Sequence, residues 1–206
     1  RIPSRAPVHG AELFRARARA AGAQLTGADD EAAAIEAVCT RLDGIPLAIE
    51  IAAARTRSLT PSELLARLDD RFRLLRGGGR GGIERHQTLR ATVAWSYQLL
   101  TDQQQLLFDR LSVFAGGFDL SPAEAICADD TIDELDIVDL LGELVDKSMV
   151  IADRTGTTTR YRLLETLRQY GEERLTDRGE TTRLRDRHLA HYAELTRPML
   201  TRYLTA

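Results

Sequence analysis

The sequence predicts a mainly α-helical chain with one small β-hairpin late in its length. Three observations carry that expectation. Aromatic residues make up only 5% of the chain, and alanine and leucine supply much of its 43% hydrophobic content, a balance that favours helices. Apolar residues recur at helical spacing through most segments, as Leu64, Leu65, Leu68, Phe72 and Leu75 do. The period shortens to two only around Asp153–Thr157, where the β-prone runs Ser148–Ala152 and Thr159–Leu163 flank a five-residue turn.

The elements follow in order. Residues 1–10 hold two prolines and no periodicity and read as a lead-in loop, followed by a short helix over Ala11–Ala21. Asp29 or Asp30 can cap a helix reaching about Arg41, with Ile35, Val38, Cys39 and Leu42 on one face. Gly44-Ile45-Pro46 then joins it to a helix running to about Arg57. Gly44 can take a positive φ that ends the first helix, and Pro46, with no N–H and a fixed φ, suits the first turn of the second. Leu47, Ile49, Ile51 and the alanines make that second helix apolar nearly all round, so it should be buried. Thr60-Pro61-Ser62-Glu63 has the form of a capped helix start.

Gly77-Gly78-Gly79-Arg80-Gly81-Gly82 marks the clearest boundary, a flexible linker at 77–82. It lacks the Lys-Ser/Thr ending and the upstream strand of a phosphate-gripping loop. Beyond it come helices over Thr88–Leu100 and from Thr101 to Phe114, the turn Phe114–Phe118, a short helix capped at Ser121, a helix over Asp133–Asp146, the hairpin, and a helix over Glu165–Leu175. The tail Thr181–Leu204 is one more helix, interruptible at Pro198. Helices followed by a hairpin describe a winged-helix domain at 83–176, preceded by a helical bundle at 1–76 and followed by a tail at 177–206 that opens a further helical region.

Net charge is −3, which argues against a surface built wholly for nucleic acid. Lys147 is the single lysine; the arginine bias runs through every segment and points to base composition of the genome more than to chemistry. Cys39 and Cys127 lie far apart in helices and read as buried free thiols. No apolar run reaches membrane-spanning length and no signal peptide is visible, so a cytoplasmic location is expected. Arg1 is not an expected natural start, and the chain reads as a piece of a longer protein.

Four stretches together carry a family resemblance: the Gly44-Ile45-Pro46 junction, His86–Tyr97, Phe114–Phe118 and Tyr161–Tyr170. In this order they resemble the NB-ARC group of STAND nucleotide switches, in particular the bacterial regulators related to AfsR. The resemblance spans nearly the whole chain. It implies an ARC1-like helical bundle before the winged helix, and a regulatory, non-catalytic role: closing over ADP held by an upstream P-loop domain, swinging away on exchange for ATP, and self-oligomerising when activated. It further implies that Gly44 and Pro46 form a nucleotide contact, with the proline ring against the adenine. Read without the resemblance, Pro46 is a first-turn helix proline and nothing more.

The resemblance also marks Leu164 and Glu165. Many members read Met-His-Asp where this chain reads Leu163-Leu164-Glu165, and the histidine touches the terminal phosphate of ADP. Leucine has no donor for a phosphate, so Leu164 weakens that lock or leaves it to another residue. Otherwise Leu163 and Leu164 are core and Glu165 is a helix-start acid. The helix in the recognition position carries Asp133, Glu134, Asp136, Asp139, Glu143 and Asp146 and no basic residue. Such a helix repels phosphates, so DNA contact is expected through another domain. No catalytic or metal constellation is present: Walker motifs are absent, Ser96 lacks a nucleophile elbow, and His188 and His191 lack companion ligands. The competing expectation is a stand-alone winged-helix DNA-binding transcriptional regulator whose first helices dimerise or sense an effector.

Overall fold

The computed structural model describes the backbone of residues 6–42, 44–75, 82–154 and 156–204, and the side chains of 10–42, 44–68, 88–154 and 156–197. The chain divides into two compact units, Arg1–Leu99 with Asp146–Ser148, and Leu100–Val145 with Met149–Ala206. The expected linker at 77–82 falls outside the described residues except for Gly82.

The first unit contains α1 (Ala6–Ala20), α2 (Asp29–Arg41), α3 (Pro46–Ala53) with a 3-10 turn over Ala54–Arg57, α4 (Pro61–Leu75) and α5 (Gly82–Gln98). Its core gathers Phe14, Ile35, Val38, Leu42, Ile49, Leu64 and Trp95. α3 is the central helix: Ala48, Ile49, Ile51, Ala52 and Ala53 are all buried, as its near-uniform apolarity requires. Thr60 and Glu63 form the expected reciprocal cap, with the Thr60 amide donating to Glu63 at 2.8 Å and the Glu63 amide donating to the Thr60 hydroxyl at 3.2 Å.

Several sequence expectations are corrected here. α1 starts at Ala6, inside the expected loop, because a first-turn proline such as Pro7 costs a helix no hydrogen bond. Neither Asp29 nor Asp30 caps α2. Ala28 is the N-cap, and Glu31 folds back to accept from the Thr26 and Gly27 amides, both at 3.0 Å. α5, assigned by sequence to the winged-helix domain, belongs to the first unit because Trp95 fills its core.

The second unit contains α6 (Asp102–Leu111), α7 (Leu120–Cys127), a 3-10 turn over Glu134–Asp136, α8 (Ile137–Asp146), the strands β1 (Ile151–Asp153) and β2 (Arg160–Arg162), α9 (Glu165–Asp177) and α10 (Thr181–Leu204). Thr101 and Gln104 cap α6 as a reciprocal box. The strands pair antiparallel, with Ile151 opposite Arg162, Ala152 opposite Tyr161 and Asp153 opposite Arg160. Phe118 adds an isolated bridge to β2: its amide and carbonyl exchange hydrogen bonds of 2.8 and 2.7 Å with Tyr161, and the Phe118 ring stacks on those of Phe114 and Tyr161. This is the architecture of a winged helix, mainly α with a two-stranded wing.

α10 runs unbroken through Pro198. It is integral to the second unit, where the sequence suggested a separate tail. Arg187 donates to the Ala128 carbonyl at 2.6 Å and the Ala125 carbonyl at 2.8 Å, and Leu184 is buried.

Candidate functional site

Gly44 sits where the sequence places a chain reversal. Its φ is +64°, a conformation that disfavours any side chain. Its amide donates to the Cys39 carbonyl at 3.0 Å, closing the end of α2, and the Ile45 amide donates to Leu42 at 2.9 Å. Ile45 is extended, and Pro46 occupies the first turn of α3. α3 turns its apolar side chains inward while Pro46 itself remains exposed. The junction therefore offers a rigid apolar ring at the surface.

The first unit also carries an open groove of about 560 Å³ between the loop after α1 and the loop before α4, lined in part by Gln24, Thr26, Glu31, Thr60 and Glu63. Its two glutamates are already committed. Hydrogen bonds from the Thr26 and Gly27 amides hold the Glu31 carboxyl below its ordinary range, and the Thr60 amide does the same for Glu63. Among the described residues no cluster of histidine, cysteine and carboxylate side chains fits a metal ion.

Leu164 and Glu165 belong to the second unit, and Gly44 and Pro46 belong to the first. Leu164 is the half-buried N-cap of α9 and Glu165 its first residue. Glu165 accepts from Arg168 at 2.8 and 2.9 Å and from Gln169 at 2.9 Å. These bonds, Arg168 foremost, bring its carboxyl down to about 2. Its oxygens thus serve the first turn of α9.

α8 occupies the recognition position. Ile137, Leu140, Leu141 and Leu144 face the core. Its opposite face exposes Val138, Asp139, Gly142 and Glu143, and the preceding turn exposes Asp133, Glu134, Leu135 and Asp136. Glu143 accepts from Gln104. On the wing, Arg154, Arg160 and Arg162 are exposed, but Arg160 already donates to the Gly117 carbonyl at 2.8 Å.

Two buried arginines escaped the sequence reading. Arg110 is 1% exposed and donates to the Cys127 carbonyl at 2.7 Å, Asp129 at 2.6 Å and Glu180 at 3.0 Å. Burial opposes its charge and those of Asp129 and Glu180. The hydrogen bonds among them outweigh that cost, raising the Arg110 pKa and lowering both carboxyls. Arg55, 6% exposed, donates to the Ser96 hydroxyl and carbonyl at 2.8 and 3.0 Å, and burial brings its pKa down to about 10. Arg55 closes the apolar run Ala52-Ala53-Ala54, and Arg110 follows Leu106-Leu107-Phe108 after one acid, Asp109. A charge at an inward helical position was the available signal.

These features define a winged helix-turn-helix domain in the second unit, and residues 100–176 match the family model described as a winged helix-turn-helix domain. Relatives from Mycobacterium bovis and Mycobacterium tuberculosis, named "Putative HTH-type transcriptional regulator", are 50% identical over 202 residues, 96% of this chain and 23% of their own length. An uncharacterized protein of Mycobacterium tuberculosis is 44% identical over 181 residues, 87% of this chain and 46% of that protein. The chain thus spans about a quarter of the length of the regulators it matches. No helix among the described residues is long and apolar enough to cross a membrane.

Proposed function

We propose that this chain is a regulatory segment of a DNA-binding transcriptional regulator. The observation that carries the reading is the winged helix itself, matched over residues 100–176, together with relatives named as HTH-type transcriptional regulators. Those comparisons favour a DNA-binding regulator, the competing expectation from sequence, over the nucleotide switch. Within the regulator, α8 does not grip the DNA backbone. Its outer face carries carboxylates where phosphate contacts need Arg or Lys, so the main DNA contact lies elsewhere in the longer protein. The test is titration of the longer regulator onto its own upstream DNA, alongside Asp139→Asn and Glu143→Gln variants. Binding that the substitutions do not weaken is expected. A longer protein that binds no DNA overturns the regulator reading; binding that the neutral variants weaken severalfold overturns the assignment of α8.

A second reading rests on the Gly44-Ile45-Pro46 junction. A rigid proline ring left exposed at the start of an otherwise buried helix suits an adenine face. In that reading an upstream P-loop domain binds ADP or ATP, the chain closes over it, and exchange shifts a population between two arrangements that favour different oligomeric states. Pro46→Ala in the longer protein then weakens ADP retention without unfolding it, since the position is solvent-facing. Unchanged ADP retention, or none in the parent protein, removes this reading.

A further inference from the structure

We propose that the outer face of α8, with the turn that precedes it, docks a basic amphipathic segment of a protein: arginine- or lysine-rich, with an apolar stripe. The core is fully served by the inner stripe of α8, so nothing in the packing of this unit requires apolar residues outside it. Yet Leu135 is 82% exposed and Val138 45% exposed. With Gly142 they follow one another at three- and four-residue spacing, a stripe along one helical face. A Cβ built on Gly142 would meet nothing within 4 Å, so a partner side chain can sit close against the helix backbone there.

The charge around the stripe selects the occupant. Asp133, Glu134, Asp136, Asp139 and Glu143 surround it, all exposed, and no Lys or Arg occurs between Arg110 and Lys147 in sequence. A phosphate backbone or an anionic lipid surface is repelled, and a second copy of this acidic chain gains little. An Arg- or Lys-rich helix gains on both counts, through complementary charge and through burial of Leu135 and Val138 against its own apolar stripe. Resting on the regulator reading, the natural source is the DNA-contacting part of the same regulator, which must be basic to hold phosphates. A segment held on α8 is then withheld from DNA.

The test uses the chain itself and does not depend on that source. A fluorescein-labelled peptide of ~16 residues with the repeat Arg-Leu-Lys-Lys is titrated with the chain, followed by anisotropy, beside an Arg-Ala-Lys-Lys control and a DNA duplex. The decisive variant is Leu135→Asp, which adds negative charge while deleting the apolar anchor; circular dichroism checks its fold, which an exposed position should leave intact. Saturable binding of the leucine peptide, weakened about tenfold by Leu135→Asp and by the alanine control, is expected. Binding that Leu135→Asp leaves unchanged or tightens is charge attraction alone and overturns the proposal, as does absence of peptide binding. Preference for the duplex overturns both this proposal and the assignment of α8 above, whereas failed peptide binding leaves the regulator reading standing.

Discussion

Arg110→Met removes a positive charge buried in the winged-helix unit while keeping most of its volume. The guanidinium makes bonds of 2.7 Å to Cys127, 2.6 Å to Asp129 and 3.0 Å to Glu180. Methionine leaves that carbonyl and both carboxylates short of a donor. Deleting one member of a buried ion pair typically costs about 3–5 kcal/mol. Here Asp129 and Glu180 keep Arg183 at 3.0 and 2.8 Å, and their side chains are 21% and 24% exposed, which brings the loss below that range, to about 2–3 kcal/mol. With a urea m-value of about 2 kcal/mol/M, the midpoint falls by roughly 1 M. The reading follows the second unit by hydrogen exchange in α6 and α10, since Trp95, the single tryptophan, reports the first. The pH dependence is the sharper check. Asp129 and Glu180 have folded pKa values below their unfolded ones, so their contribution is complete above the unfolded values near pH 4 and is lost progressively as pH falls from there toward the lower folded values. The gap between parent and variant should therefore narrow from pH 7 to pH 3. A loss under about 0.5 kcal/mol, or a gap that does not change with pH, would refute the electrostatic reasoning and leave Arg110 a packing residue.

Three further outcomes are expected. Gly44→Ala forces a side chain into φ +64° and should cost about 1–2 kcal/mol, several degrees in Tm; an unchanged melt contradicts the role of the turn. Gly171→Ala gains about 1 kcal/mol of helix propensity, but its Cβ would lie 3.1 Å from the Ser112 Cβ and 3.3 Å from the Phe108 carbonyl oxygen, so overpacking of about 1–3 kcal/mol should win and denaturant unfolding should show net destabilisation. The Glu165 carboxyl should titrate near 2 by NMR, and its contribution, present above its ordinary value of 4.5, should fade as pH drops toward 2; a midpoint at 4.5 would mean that Arg168 does not hold it.

Local rules made much of the fold legible. The Thr60–Glu63 and Thr101–Gln104 boxes, the Gly44 reversal and the hairpin all depend on neighbours a few residues apart. The misses needed longer range. α5 shows helical periodicity, but only the burial of Trp95 assigns it to the first unit, and α10 reads as a tail until Glu180, Arg183 and Arg187 are seen reaching back to Arg110, Asp129 and Ala128. The cap of α2 failed because two aspartates preceded Glu31, and sequence gave no way to choose which acid turns back. Of the candidate site, the acidic character of α8 was readable directly. That Leu135 and Val138 lie outside the core was not, because one helical stripe of apolar residues looks like another until the inner face is known.

The most direct test of the account is the affinity of this chain for duplex DNA across a salt series. If α8 presents carboxylates to solvent, binding should be weak even at low salt and show little salt dependence. Tight binding that falls steeply with salt, with a slope near −0.9 for each phosphate neutralised, would place the DNA contact on this winged helix and contradict the account.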